Sequence, residues 1–129
     1  MKASSENWLK IAQKDLKVAK LSLNGEEAMA CIFHMHAAIE KILKGIADER
    51  GSKVPRSHNL KHIAIDACQI KLEKHLEELF TELDQSFMDS RYPESIEEFE
   101  LQYTLDYCSK LLKEVESTFR WLKNLLIKN

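Results

Sequence analysis

Glycine and proline are almost absent from this chain, at three and two among 129 residues. So few turn formers beside 31% charged and 44% hydrophobic residues indicate an all-α protein built from strong helix formers. No apolar run approaches the ~20 residues needed to cross a bilayer, which excludes a spanning helix. The first residues, Met1-Lys2-Ala3-Ser4-Ser5-Glu6, lack the apolar stretch of a signal peptide, so a soluble cytoplasmic protein is expected, away from the membrane. Charge of one sign is lacking too: the net charge of −2 provides no bulk field towards nucleic acid or a membrane surface. There is no C-x-x-C pair. Cys31, Cys68 and Cys108 are odd in number, far apart and beside apolar helix faces, which reads as small buried hydrophobes and not as a disulfide or zinc framework. A Gly-rich phosphate loop, a serine triad and a cysteine–histidine dyad are also missing, and neither a cofactor nor a metal is implied. Repeats and low-complexity tracts are absent, so residues 1–129 read as one domain, a size at which one core suffices.

What remains is helical periodicity. A first helix is predicted from about Glu6 to Leu23, with Trp8, Ala12, Leu16, Ala19 and Leu23 on one arc, Ile11 and Val18 at its edge, and Asn24-Gly25 as the stop. Asp15 falls inside that arc, where a carboxylate needs a dedicated partner. The second helix, from about Glu26 to Arg50, is apolar over so much of its circumference that it should be central, with Ile32, Met35, Ile39, Ile42 and Ile46 at helical spacing and Phe33, Ala38 and Leu43 widening the surface. Its polar stripe is His36, Glu40, Lys44 and Asp48, with Glu40 and Lys44 in the favourable order for a pair. Gly51 to Ser57 is a loop. A third helix should begin at the N-cap Asn59 and turn Leu60, Ile63, Ala64 and Ala67 inward. The stripe Leu72, Leu76, Leu79, Phe80, Leu83, Phe87 is out of phase with it, which predicts a break near Gln69–Leu72. After a loop containing Arg91-Tyr92-Pro93, a last helix from Ile96 or Phe99 to Ile127 should align Leu101, Leu105, Cys108, Leu112, Val115, Phe119, Leu122 and Leu126. It also carries a second arc, Tyr103, Tyr107, Trp121 and Leu125, which either packs on a second neighbour or forms a subunit interface.

Three constellations could carry chemistry. His58, His62 and Asp66 have the spacing of metal ligands on one helix face, but that face lies opposite Leu60, Ile63 and Ala64 and reads as a solvated surface. Arg56 and His62 could stabilise a phosphate and act as acid or base in RNA cleavage, although the two types are common and straddle a loop and a helix start. Arg91-Tyr92-Pro93 holds a guanidinium and a phenol in fixed directions. Two readings stand for it: direct participation in a site, or an arginine anchoring the loop to Asp15 or Glu40 with Tyr92 packed on the core.

The order of these fragments resembles the HEPN family of small helical domains, over nearly the whole chain. The resemblance rests on the inward Asp15, on Ala38, Glu40-Lys41 and Lys44 in the second helix, on Pro55, His58 and Leu60 as Pro-x-x-His-x-Leu, and on Arg91-Tyr92-Pro93 before the last helix. It departs at His36, where glutamine is more usual. It implies an up-and-down bundle of four to five helices that commonly dimerises, with Asp15, His36, Glu40, Lys44, His58, Arg91 and Tyr92 as the candidate polar cleft. It also implies a nucleotidyltransferase protein as partner in a toxin–antitoxin-like pair, with a nucleotide as ligand. Family members that cut RNA use an arginine followed four to six residues later by histidine, late in the domain. No histidine follows His75, so Arg91 cannot begin that motif, and Arg56 with His62 has the spacing but not the place. The expectation is a non-catalytic binding subunit. The alternatives are an RNase toxin using Arg56 and His62, and a purely structural adaptor.

Overall fold

Helix α1 (Ala3–Asn24) opens the chain, and its start is tied to the end of α2 (Ala28–Glu49). The Ser4 and Ser5 hydroxyls donate to Asp48 at 2.5 and 2.9 Å, and the Lys2 amide donates to Glu49 at 3.0 Å. Asp48, expected on the polar stripe of α2, therefore serves the exposed N-terminus of α1. The structure of the chain, a computed structural model, describes residues 1–128. It continues with α3 (Leu60–His62), which runs into a π-helical turn (Ile63–Ala67), then α4 (Lys74–Arg91), α5 (Ile96–Gln102) and α6 (Leu105–Ile127). The described residues contain helices and no strand, arranged as a helical bundle.

Central position falls to α2, as its apolar circumference required. Ile32, Met35, Ile39, Ile42, Leu43 and Ile46 are fully enclosed, because α1, α4 and α6 pack around this helix. Gly45 lets α1 come close: a Cβ there would sit 3.1 Å from the Trp8 Cβ. The turn between the two helices uses Asn24-Gly25 as the stop, yet the left-handed residue is Glu26 (φ 61°), not the glycine.

Several elements close where their chemistry dictates. Asn59 caps α3 by accepting from the His62 amide at 2.9 Å. The break near Gln69–Leu72 is present: the π turn ends at Cys68, and Gln69 takes the left-handed conformation (φ 55°). Ser95 accepts from the Glu98 amide at 3.1 Å and starts α5 with a Ser-x-x-Glu signature. Thr104 accepts from the Tyr107 amide at 3.1 Å and starts α6, so the predicted single last helix is two. The described residues accordingly form six α-helices where four to five were expected.

The division at Tyr103 re-aims side chains. Leu101, expected on the inward stripe, is 81% exposed. In contrast, Tyr103 is buried and donates its hydroxyl to Asp89, while Tyr107 donates to Glu82, so this part of the second arc packs within the chain on α4. Trp121 stays partly exposed. Ile11 and Val18 also face outward, and Leu9 and Ser5 take the inward places beside Ala12 and Ala19. Phe33, expected to widen the apolar surface of α2, is exposed too. All three cysteines are buried and unpaired. No helix among the described residues is long and apolar enough to cross a membrane.

Candidate functional site

The polar stripe of α2 is enclosed. Residues four apart lie above one another on a helix, and this row faces α4 and the loop before α3 instead of water. His36, Glu40 and Lys44 are 0%, 4% and 7% exposed. Buried charge is tolerated only with partners, and here they are supplied from three elements. Glu40 accepts from Lys44 at 2.8 Å on one oxygen and from the His58 Nδ1 at 3.0 Å on the other. The His36 Nε2 donates to Asp84 of α4 at 2.9 Å. Both Asp84 oxygens also accept from the Leu60 amide, each at 3.2 Å, which pins the first turn of α3 to α4.

Because an ionised carboxylate only accepts, the His36 proton sits on Nε2. Its Nδ1 then has no hydrogen-bond partner and stands 3.8 Å from a Glu40 oxygen. The ring is held flat against Phe87, with centroids 4.0 Å apart and planes 8° from parallel. Burial pushes the Glu40 carboxyl up, but the hydrogen bonds and charges of Lys44 and His58 outweigh it and hold it below the ordinary value.

Above this cluster, Arg91 at the end of α4 lies over the rings of Phe87 and Tyr92, 5.5 Å from each centroid. It makes no ion pair among the described residues. A cavity of about 160 Å³ opens between Arg91, His58, Asn59, Asp84, Phe87 and Met88. A larger cleft of about 530 Å³ lies elsewhere, against α4 and the start of α6; the hydroxyls of its two tyrosines are already given to Glu82 and Asp89.

The expected cleft is thus assembled in part. His36, Glu40, Lys44 and His58 meet directly, and Arg91 joins through Phe87 and the cavity. Asp15 does not join: its partners are His34 at 2.9 Å and Lys41 at 4.0 Å, on another side of α2. Arg91 reaches neither Asp15 nor Glu40, and Tyr92 is 68% exposed instead of packed on the core, because α4 continues to Arg91 and carries both outward. Arg56 is exposed in the loop. The exposed His62 pairs with Asp66 at 2.6 Å. His58 precedes the cap of α3 and turns to Glu40, so His58, His62 and Asp66 do not share a helix face. Among the described residues, no three His, Cys, Asp or Glu side chains are placed to hold a metal ion. Asp84 was missed from the sequence. Its signal was present, since it interrupts the buried stripe Phe80, Leu83, Phe87 much as Asp15 interrupts that of α1.

Chemically, the arrangement holds charge in place more than it exposes a reactive group. The carboxylate of Glu40 is enclosed and paired, and the cavity is lined by a guanidinium, an imidazole, an aromatic face and the Asp84 carboxylate, whose oxygens are engaged by His36 and the Leu60 amide. Such a surface suits an anion or a planar ring.

Residues 5–125 match the family model for the HEPN domain. The fold is similar to that in the crystal structure of TT1696 from Thermus thermophilus, with a TM-score of 0.81 and 21% sequence identity, covering 95% of this chain and 98% of that one. No curated protein matches the chain.

Proposed function

The chain belongs to the HEPN domain family, and from that premise we propose that it is a non-catalytic binding subunit, a homodimer that helps a minimal nucleotidyltransferase partner by presenting a nucleotide or other substrate. The observation carrying this reading is the division of labour at the cluster. Both carboxylates beneath the cavity, Glu40 and Asp84, accept hydrogen bonds from within the protein, while Arg91 at its rim has no carboxylate partner among the described residues. Matched and buried charges make poor acids and bases for an external substrate. A free guanidinium is a ready anion contact.

A volume of about 160 Å³ admits one ring or one phosphate group and is below the range typical of whole-ligand pockets. The rest of a nucleotide would lie outside it, against solvent or a partner. Arg56 and His62 supply the competing ribonuclease reading. Arg56 is exposed in the loop and makes no ion pair among the described residues, with His62 on α3 paired to Asp66 and outside the buried cluster, so the geometry favours binding.

Two measurements test the proposal together: affinity capture from the native host, and calorimetry with nucleoside triphosphates on wild type and Arg91→Ala. Co-purification of a nucleotidyltransferase is expected, with binding weakened about tenfold or more by Arg91→Ala. The absence of both a co-purifying partner and nucleotide binding would overturn it. RNA cleavage lost in His62→Ala would replace it by the toxin reading.

A further inference from the structure

The cavity beside Arg91 has polar residues in its lining, yet its exposed wall is almost wholly apolar. Hydrogen bonds within the protein account for this. The His58 Nδ1 donates to Glu40, the Asn59 Oδ1 accepts from the His62 amide, and the Asp84 Oδ1 accepts from His36 and Leu60. Carbon and sulfur are left to meet a guest, from Phe87 and from Met88, which is 49% exposed.

A phosphate is poorly suited to that space. It would give up its water against an apolar wall, which is costly for an ion, and would stand beside the Asp84 carboxylate. Its natural counter-charge is at the rim instead, where Arg91 is exposed and has no carboxylate partner among the described residues. A flat ring suits the same space well. Its faces are apolar, one ring fills a volume of about 160 Å³, and the Met88 thioether is a favourable neighbour for an aromatic system. Asp84 adds a chemical requirement. An ionised carboxylate has about four lone-pair positions, and its Oδ2 accepts only the Leu60 amide that it shares with Oδ1. With its side chain 21% exposed, Asp84 keeps an acceptor for a guest, and the matching guest carries N–H donors.

We infer that the cavity takes the ring of its ligand and keeps the anionic group outside, on Arg91. The ligand class is a flat nitrogenous ring with N–H donors facing Asp84 and an anionic tail reaching the rim. Met88 and Phe87 set the fit of the ring, Asp84 selects its edge, and Arg91 holds the tail where a second protein can reach it. The inference rests on the binding function proposed above and determines which end of the ligand enters.

Nuclear magnetic resonance on the full chain with methyl-labelled methionine tests it, together with calorimetry. The probes are the common nucleosides, their triphosphates, tripolyphosphate, and purine riboside, whose ring carries no N–H. Met88→Leu identifies the Met88 methyl signal. The ring current of the best nucleoside and of its triphosphate should shift that signal, and tripolyphosphate should not. The triphosphate should bind about tenfold or more tighter than tripolyphosphate, and the nucleoside about fivefold or more tighter than purine riboside. Arg91→Ala should weaken the triphosphate more than the nucleoside. Tripolyphosphate that binds as tightly as the triphosphates, or nucleotide binding that leaves the Met88 methyl unmoved, overturns the orientation while the binding function stands. Purine riboside as tight as the best nucleoside overturns the Asp84 contact. Absence of binding by every probe overturns both the orientation and the binding function.

Discussion

Glu40→Gln removes one negative charge and almost no volume, so its effect isolates the electrostatics of the buried cluster. Glutamine can still accept one hydrogen bond, but the ammonium of Lys44, 2.8 Å away and almost sealed from water, loses its counter-charge. At an effective dielectric constant of 20, Coulomb's law gives about 6 kcal/mol for unit charges at that separation, an upper bound before the retained hydrogen bond is subtracted. Breaking a buried pair from one side typically costs ~3–5 kcal/mol, a large part of the ~5–15 kcal/mol that holds a domain folded. For a chain of this length that lowers the melting temperature by about 10–25 °C. The assay is urea denaturation followed by circular dichroism at neutral pH, on Glu40→Gln and on Glu40→Gln/Lys44→Met. The double variant removes the stranded ammonium and should recover to within ~1–2 kcal/mol of wild type, since the other partner, His58, is mostly hydrated. A pH series adds a signed check. The Glu40 carboxyl is held below its ordinary 4.5 in the folded state, so its stabilising contribution is complete above that pH and fades as pH falls through the depressed value. The gap between wild type and Glu40→Gln should narrow in that acid window. A single substitution costing less than ~1 kcal/mol, or a double variant no better than the single, would refute the reasoning.

Other substitutions probe the surrounding structure. Asp84→Ala strands the His36 Nε2–H and the Leu60 amide and should cost ~1–3 kcal/mol for each buried donor, with faster hydrogen exchange at Leu60; unchanged exchange there would deny the pin between α3 and α4. Asn59→Ala removes the cap of α3 and should lower stability by ~1 kcal/mol in the same denaturation assay. Gln69→Gly relieves a left-handed residue and should raise stability by ~0.5–1 kcal/mol; a loss would mean that the Gln69 side chain contributes more than its backbone costs. The three thiols are enclosed, and burial pushes Cys68 up to about 12, so the native chain should resist iodoacetamide at pH 8 and react only when unfolded.

Helix positions, the central place of α2 and the break after the π turn were legible because each rests on local periodicity or capping. The division of the last helix was not, although its signal was local as well. Thr104 lies in an otherwise helical run and acts as a cap only because Tyr103 turns inward to reach Asp89. The cluster was half legible. His36, Glu40 and Lys44 share a face by spacing alone, but spacing does not say whether a face meets water or another helix. That was decided by α4, whose Asp84 lies 48 residues from His36. Asp15 was correctly read as needing a partner, yet its assignment to the same cleft failed because His34 is closer to it on α2. Arg91 was read as a loop residue, and the extension of α4 to include it changed what it could touch.

The placement of the charged stripe on α2 also bears on how the chain is made. The hairpin of α1 and α2 is built from near neighbours in sequence, and such local contacts form early and can form during synthesis. At that stage the face destined for α4 displays His36, Glu40 and Lys44 beside the apolar residues that α4 and α6 later cover. Dehydration of that stripe waits for His58 and Asp84, which arrive later in the chain. Docking of α4 is then the step that must expel water and satisfy the polar groups at once, which makes it selective for the correct partner helix.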